Sequence, residues 1–120
     1  MMPYERLKAW EACHALWIAI FKATLSWPAS ERYGITAQIK RAALSPGANI
    51  AEGVAKRGPR DCARHVNIAI GSLAEVAYLL RAARDVGIIN KDQHDYLLSI
   101  QQPAGRLTML FYKGLRATLS

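Results

Sequence analysis

Catalytic and cofactor-binding motifs are missing from this sequence of 120 residues. It contains no GxxxxGK[ST] phosphate loop, no GxGxxG, no HxxxH, and no HxE with a paired CxxC. Its three histidines, His14, His65 and His94, are scattered over separate helical segments, and His14 belongs to an apolar stripe. We therefore predict no enzymatic activity, no catalytic residue, no metal site and no cofactor, and the sequence identifies no small-molecule substrate.

Cysteine is scarce, and long apolar runs are absent from the N-terminal segment. Cys13 and Cys62 have neither CxxC spacing nor a nearby histidine pair, which predicts buried free thiols. The longest apolar stretch near the N-terminus, residues 15–21, is far shorter than the roughly 20 residues of a membrane helix. Charged side chains occupy the place of a signal peptide's apolar region. We expect a cytoplasmic protein without a membrane partner.

Aromatic residues are also few, at 8%, although 52% of the chain is hydrophobic. Alanine and leucine supply most of that apolar content, which favours packed helices over a β-sandwich. A mass of 13.3 kDa fits one domain, residues 1–120. Sixteen Lys and Arg face nine Asp and Glu, a formal charge of +7 that attracts polyanions without identifying one.

Turn-forming segments divide the chain into four predicted helices: residues 4–25, 33–57, 60–86 and 92–118. In the first helix, one row contains Leu7, Trp10, His14, Trp17, Phe21 and Thr24, and we assign it to the core. A second apolar row lies beside it, and the third helix repeats the doubled pattern. Because one small bundle need not bury both rows, we predict a homo-oligomer whose interface includes Cys13, Leu16, Ile20, Val76 and Leu79.

A proline interrupts the second helix, in the stretch "ALSPGANIAEG". Apolar positions keep their helical spacing through Pro46, which favours one continuous, kinked helix. The alternative is a helix restart, because Ser45 and Pro46 also suit an N-cap and first turn. A proline inside a helix removes one hydrogen bond and costs about 3 kcal/mol.

The segment "ERYGITAQIKRAALSPGANIAEG", followed by "IAIGSLAEVAYLL", resembles the four-helix-bundle family of 23S rRNA intervening-sequence proteins. "LKAWEACHAL" near the N-terminus is similar to that family's opening helix, so the resemblance covers nearly the whole chain. It implies an all-α, up-and-down four-helix bundle, a cytosolic protein and a homopentameric ring. It implies no settled biochemical role. The accessory variability proteins of diversity-generating retroelements are distantly similar, and they bind nucleic acid through a basic surface.

Three polar residues are candidates for a structural motif together with Pro46. Asn49 and Glu52 follow the proline, where they can satisfy backbone groups or neighbouring arginines, or else form a ligand site. Glu75 lies outside both apolar rows, and we expect it in a salt bridge between helices or subunits rather than in catalysis.

The basic corner, which we define as Lys56, Arg57, Arg60 and Arg64, is the candidate nucleic-acid site. Positive charge suits the end of the second helix but not the first turns of the third, where it costs about 0.3–1 kcal/mol per residue. Phosphate contact, a solubilising patch and a protein partner all remain open explanations. We therefore predict a self-assembling scaffold or adaptor that binds RNA or DNA non-specifically; the alternative is a purely structural or protein-binding oligomer.

Overall fold

The computed structural model describes residues 1–119, which form four long helices and two short 3-10 turns. The helices are α1 (Lys8–Thr24), α2 (Ile35–Ala55), α3 (Pro59–Asp85) and α4 (Lys91–Ala117). The 3-10 turns, Pro3–Arg6 and Ala29–Glu31, precede α1 and α2. No strand occurs within residues 1–119, and the predicted all-α four-helix fold is confirmed.

Short connections make neighbouring helices antiparallel. Only residues 56–58 separate α2 from α3, and Gly58 adopts a φ of 90°, which other residues avoid. After α3, Gly87 takes a φ of 84°, while the Ile88 amide donates to the Ala83 carbonyl at 2.9 Å and closes the helix. Asn90 then caps α4 through a reciprocal pair with Gln93. The chain therefore runs up and down the bundle.

Each helix packs against its two neighbours around a square. α1 contacts α2 and α4, and α3 contacts the same two helices, so α1 and α3 lie on one diagonal. The resulting bundle measures 46 × 22 × 21 Å. Its centre is filled by side chains from all four helices, among them Leu16, Ile39, Leu73 and Leu97.

Helix α2 runs unbroken through Pro46, which is itself fully buried. The prediction of one continuous helix is therefore confirmed, and the predicted alternative, a restart at Ser45, does not occur. Proline is tolerated here because burial of its ring and of the surrounding apolar side chains offsets the lost hydrogen bond.

Helix α3 is long and apolar enough to resemble a membrane span, with a window of mean hydropathy 1.3. Ten of its side chains are buried within the bundle, however, including Val66, Leu73 and Leu80. The interior of the protein therefore accounts for part of the apolar character of this helix, since 39% of that window is buried.

Candidate nucleic-acid interface

The bundle topology extends the basic corner across one end of the molecule. The α2–α3 turn lies at the same end as the start of α1 and the end of α4, because the four helices alternate in direction. Four further cations, far apart in the sequence, therefore join the corner there: Arg6, Lys8, Lys113 and Arg116. We call these four and the basic corner together the basic end.

All eight side chains of the basic end are exposed. Within residues 1–119, none of them lies within ion-pair distance of a carboxylate. Four acidic residues occupy the same end: Glu5, Glu11, Glu52 and Asp61. The excess of positive charge at this end is therefore solvated and free to meet an anion.

Charges at the opposite end are partly paired. Six cations there, counted to the same depth along the helices, face four acids: Lys22, Arg32, Lys40, Arg81, Arg84 and Lys91 against Glu31, Asp85, Asp92 and Asp95. Arg81 contacts Asp85 at 3.0 Å, and Lys91 contacts Asp95 at 2.6 Å. A hydrogen bond from Lys91 and a second from His94 lower the pKa of Asp95 to about 2. The excess of positive charge is thus larger at the basic end, with eight cations against four acids, than at the opposite end, with six against four.

The motif "NIAEG" joins α2 to α3 beside the basic end. Asn49 donates from Nδ2 to the Ser45 carbonyl and hydroxyl, both at 3.0 Å, and its Oδ1 faces Nδ1 of His65 at 3.3 Å. Since Oδ1 can only accept, the proton of a neutral His65 lies on Nδ1. Nε2 of His65 is buried and, within residues 1–119, has no hydrogen-bond partner.

Two more residues of α2 take part in the contact with His65 of α3. The Glu52 carboxylate lies 3.7 Å from Nδ1 of His65 and stays largely in solvent. Gly53 is buried against α3, where an added Cβ would lie 2.9 Å from the Cβ of His65. Asn49 thus satisfies a backbone group, as predicted, but Glu52 faces a histidine rather than an arginine. The histidine partner had no signal in the sequence.

Glu75 links the same two helices farther from the basic end. It accepts a hydrogen bond from Gln38 of α2 at 3.2 Å. Within the protomer its partner is therefore a neutral amide rather than a cation, and a salt bridge to another subunit stays a prediction. Between these contacts, the Ser72 hydroxyl donates to the Ser45 hydroxyl at 3.0 Å. Polar side chains thus line the α2–α3 contact at several levels.

The residues assigned to the oligomer interface lie inside the protomer. Cys13, Leu16, Ile20, Val76 and Leu79 are all between 0% and 4% exposed. This burial corrects the sequence-based assignment, because a side chain enclosed by its own bundle has no surface left for a second subunit. The doubled apolar row arises because each helix packs against two neighbours rather than one.

The row assigned to the core is the more exposed one. Part of this row and one residue of α2 form a surface that we call the aromatic face. It contains Trp10, His14, Trp17 and Phe21 of α1 and Leu44 of α2. Phe21 is 43% exposed, Leu44 is 51% exposed, and His14 also faces solvent. The rings of Trp10 and His14 stack at 4.7 Å, and Trp17 contacts Phe21 at 5.6 Å. This surface, not the buried row, is available to a partner.

Neither cysteine is placed for chemistry. Both thiols are free and buried, as predicted. Burial raises the pKa of Cys13, while its 3.4 Å contact with Thr108 lowers it less. Burial also raises the pKa of Cys62. Protonated thiols are poor nucleophiles. Within residues 1–119, no three His, Cys, Asp or Glu side chains cluster as metal ligands.

Together, the fold and these surfaces define a class: a four-helix bundle with a charged end and an apolar side. The model of the 23S rRNA-intervening sequence protein family matches residues 5–108, and the chain belongs to that family. A crystal structure from Bacteroides thetaiotaomicron, of a protein with unknown function from the S23 ribosomal protein family, superposes with a TM-score of 0.78. It is 20% identical, and the match covers 88% of this chain and 98% of that chain. At this identity the likeness supports the fold alone. No curated protein matches the sequence.

Proposed function

We propose that this protein is a non-enzymatic, self-assembling scaffold or adaptor that binds the phosphate backbone of RNA or DNA through its basic end. The observation that carries the proposal is the set of eight exposed cations without an ion-pair partner in residues 1–119. At the opposite end, two of the cations, Arg81 and Lys91, are paired with carboxylates. Solvated cations on one end of a compact bundle are suited to a polyanion.

The position of the arginines supports phosphate contact. Arg60 and Arg64 lie in the first turns of α3, where the helix dipole disfavours positive charge. A phosphate bound there would meet both the guanidinium groups and the amide groups at the start of the helix. Contacts to phosphate carry no sequence information, so we expect binding without base preference.

We further propose that the protein assembles, as a pentamer, through its aromatic face. Exposed aromatic and aliphatic side chains on one side of a soluble bundle mark a surface for a protein partner. Repetition of the basic end in five subunits would allow several weak phosphate contacts to act together. A cytoplasmic location is part of this proposal, because both cysteines are free.

A second candidate function is a structural oligomer that binds no nucleic acid. The aromatic face supports this function by itself, since assembly does not require the basic end. The two functions share the oligomer and differ only in the partner.

Light scattering coupled to size-exclusion chromatography distinguishes these functions. We expect the purified protein to elute with about five times the 13.3 kDa protomer mass. Addition of unstructured RNA at low salt should then raise the mass of the complex, and roughly 0.5 M salt should reverse the increase because counterion release weakens phosphate contacts. An oligomer with no response to RNA or DNA would support the structural function, and a monomer would contradict self-assembly.

A further inference from the structure

An apolar cavity of about 320 Å³ lies at the end of the bundle opposite the basic end. Its wall comes from the last turns of α1, the turn after α1, the α3–α4 turn and the start of α4. Trp27, Ile89 and Leu97 form part of it, and all three are at least nine-tenths buried. The size and apolar lining are those of a small-molecule site.

The polar groups on this wall are mainly hydrogen-bond donors. Gln93 uses its Oε1 to accept from the Asn90 amide at 2.8 Å, which leaves its amide NH₂ free to donate. Ser26 already donates its hydroxyl proton to the Ala23 carbonyl at 3.1 Å. The remaining groups are the Lys22 ammonium and the Tyr96 hydroxyl. Among residues 1–119, no carboxylate lines the cavity.

Of the side chains that the structure describes on this wall, Lys22 alone is charged. Within residues 1–119, no carboxylate lies within ion-pair distance of its ammonium group. An apolar wall with a cation and further donors at its margin is complementary to an apolar molecule that carries an anionic acceptor. A cationic ligand would find no counter-charge there.

We propose that this cavity binds a small organic acid, with a flat or branched apolar body against Trp27 and a carboxylate held by Lys22. Gln93 and Tyr96 line the same cavity and would donate to the same carboxylate. This site is separate from the basic end, and its existence does not depend on nucleic-acid binding or on assembly.

Calorimetric titration with two matched probes tests the site: 1-naphthylacetate, and the neutral alcohol 2-(1-naphthyl)ethanol. We expect the acid to bind with one site per chain and more tightly than the alcohol. Lys22→Gln should weaken binding of the acid by about threefold to fivefold, the range of a partly exposed ion pair, and leave the alcohol unaffected. The control is Arg32→Gln, at the same end but outside the cavity. It should change neither the affinity for the acid nor the affinity for the alcohol.

A cavity-filling variant provides an independent test. Ala23→Leu should reduce the affinity for both probes at least tenfold, because the added side chain occupies the space of the apolar body. Circular dichroism checks whether each variant is folded. If the Ala23→Leu variant is unfolded, the Lys22→Gln variant still tests the proposal. The proposal is overturned if the acid shows no saturable binding at low millimolar concentration. It is equally overturned if Lys22→Gln and Arg32→Gln weaken the binding of the acid to the same extent.

Discussion

Gly53 of α2 lies so close to His65 of α3 that a methyl group on Gly53 would stand 2.9 Å from the Cβ of His65. Cys62 limits the same space, with its carbonyl oxygen 3.2 Å from the position of the added atom. The glycine that ends "NIAEG" is therefore explained by the close approach of the two helices α2 and α3. Its neighbour Asn49 joins the same helices by a hydrogen bond.

Gly53→Ala should therefore destabilise the protein. Overpacking costs about 1–3 kcal/mol, whereas alanine gains up to about 1 kcal/mol from helix propensity, so we expect a net loss near 1–2 kcal/mol. Gly71→Ala is the matched control, because an added Cβ meets no atom within 4 Å there and should stabilise α3 by about 0.5–1 kcal/mol. Urea unfolding measures both changes. Equal effects of the two substitutions would exclude the close contact.

Asn49→Ala should cost about 1–3 kcal/mol, because His65 loses its hydrogen-bond partner in a buried setting. Asn67 of α3 offers a control, since it is exposed. Asn67→Ala should be neutral or slightly stabilising through helix propensity. Chemical denaturation of both variants checks the comparison. An Asn49 variant as stable as the Asn67 variant would show that the hydrogen bonds of Asn49 contribute nothing.

Leu16→Glu and Leu44→Glu should affect different levels of structure. Leu16 is 0% exposed in the protomer, so its replacement should cost more than about 4 kcal/mol and abolish cooperative unfolding. Leu44 is 51% exposed on the aromatic face, so its replacement should leave helix content unchanged and weaken assembly. Circular dichroism measures helix content and unfolding, and sedimentation velocity measures assembly. A folded Leu16 variant that is merely monomeric would reverse our placement of the interface.

Asp95 should contribute to stability against acid. Its carboxyl has a pKa of about 2 in the folded protein, below its ordinary value of 3.8, because Lys91 and His94 donate hydrogen bonds to the charged form. A depressed folded pKa stabilises the protein above pH 3.8, and the contribution is lost as pH falls towards 2. Asp95→Asn should therefore flatten the dependence of Tm on pH within this window. High salt should shrink the difference, since the carboxylate is exposed. Parallel profiles for wild type and variant would contradict this contribution.

Much of the fold follows from the sequence because helical spacing and turn residues are local signals. The continuity of α2 was predictable for this reason, since the apolar spacing persists through Pro46. The choice between the two rows of α1 was not predictable, because both rows are rich in large apolar side chains, such as Leu16 and Trp17, and the surrounding helices decide which row is buried. Packing against α2 and α4 buries Leu16 and leaves the aromatic face partly open.

For the candidate site, too, local sequence patterns predict only part of the basic end. Lys56 and Arg64 are close in the sequence, so a local charge pattern reveals them. Arg6 and Arg116 join them only because the first and last helices meet at the same end of the bundle. The histidine contact of Asn49 likewise depends on how α2 packs on α3, which no local pattern encodes.

The most direct test of nucleic-acid binding is fluorescence anisotropy with a labelled single-stranded RNA and a labelled DNA duplex across a salt series. The matched variants are Arg60→Glu with Arg64→Glu at the basic end, and Lys22→Glu with Arg32→Glu at the opposite end, which change the net charge equally. For wild type we expect log affinity to fall linearly with log salt, by about 0.9 per phosphate contact on duplex DNA. The basic-end variant should lose binding at roughly 0.15 M salt with its oligomer and helix content intact, while the opposite-end variant should retain most of its affinity. Absence of wild-type binding at low salt, or equal losses in the two variants, would contradict a nucleic-acid interface at the basic end.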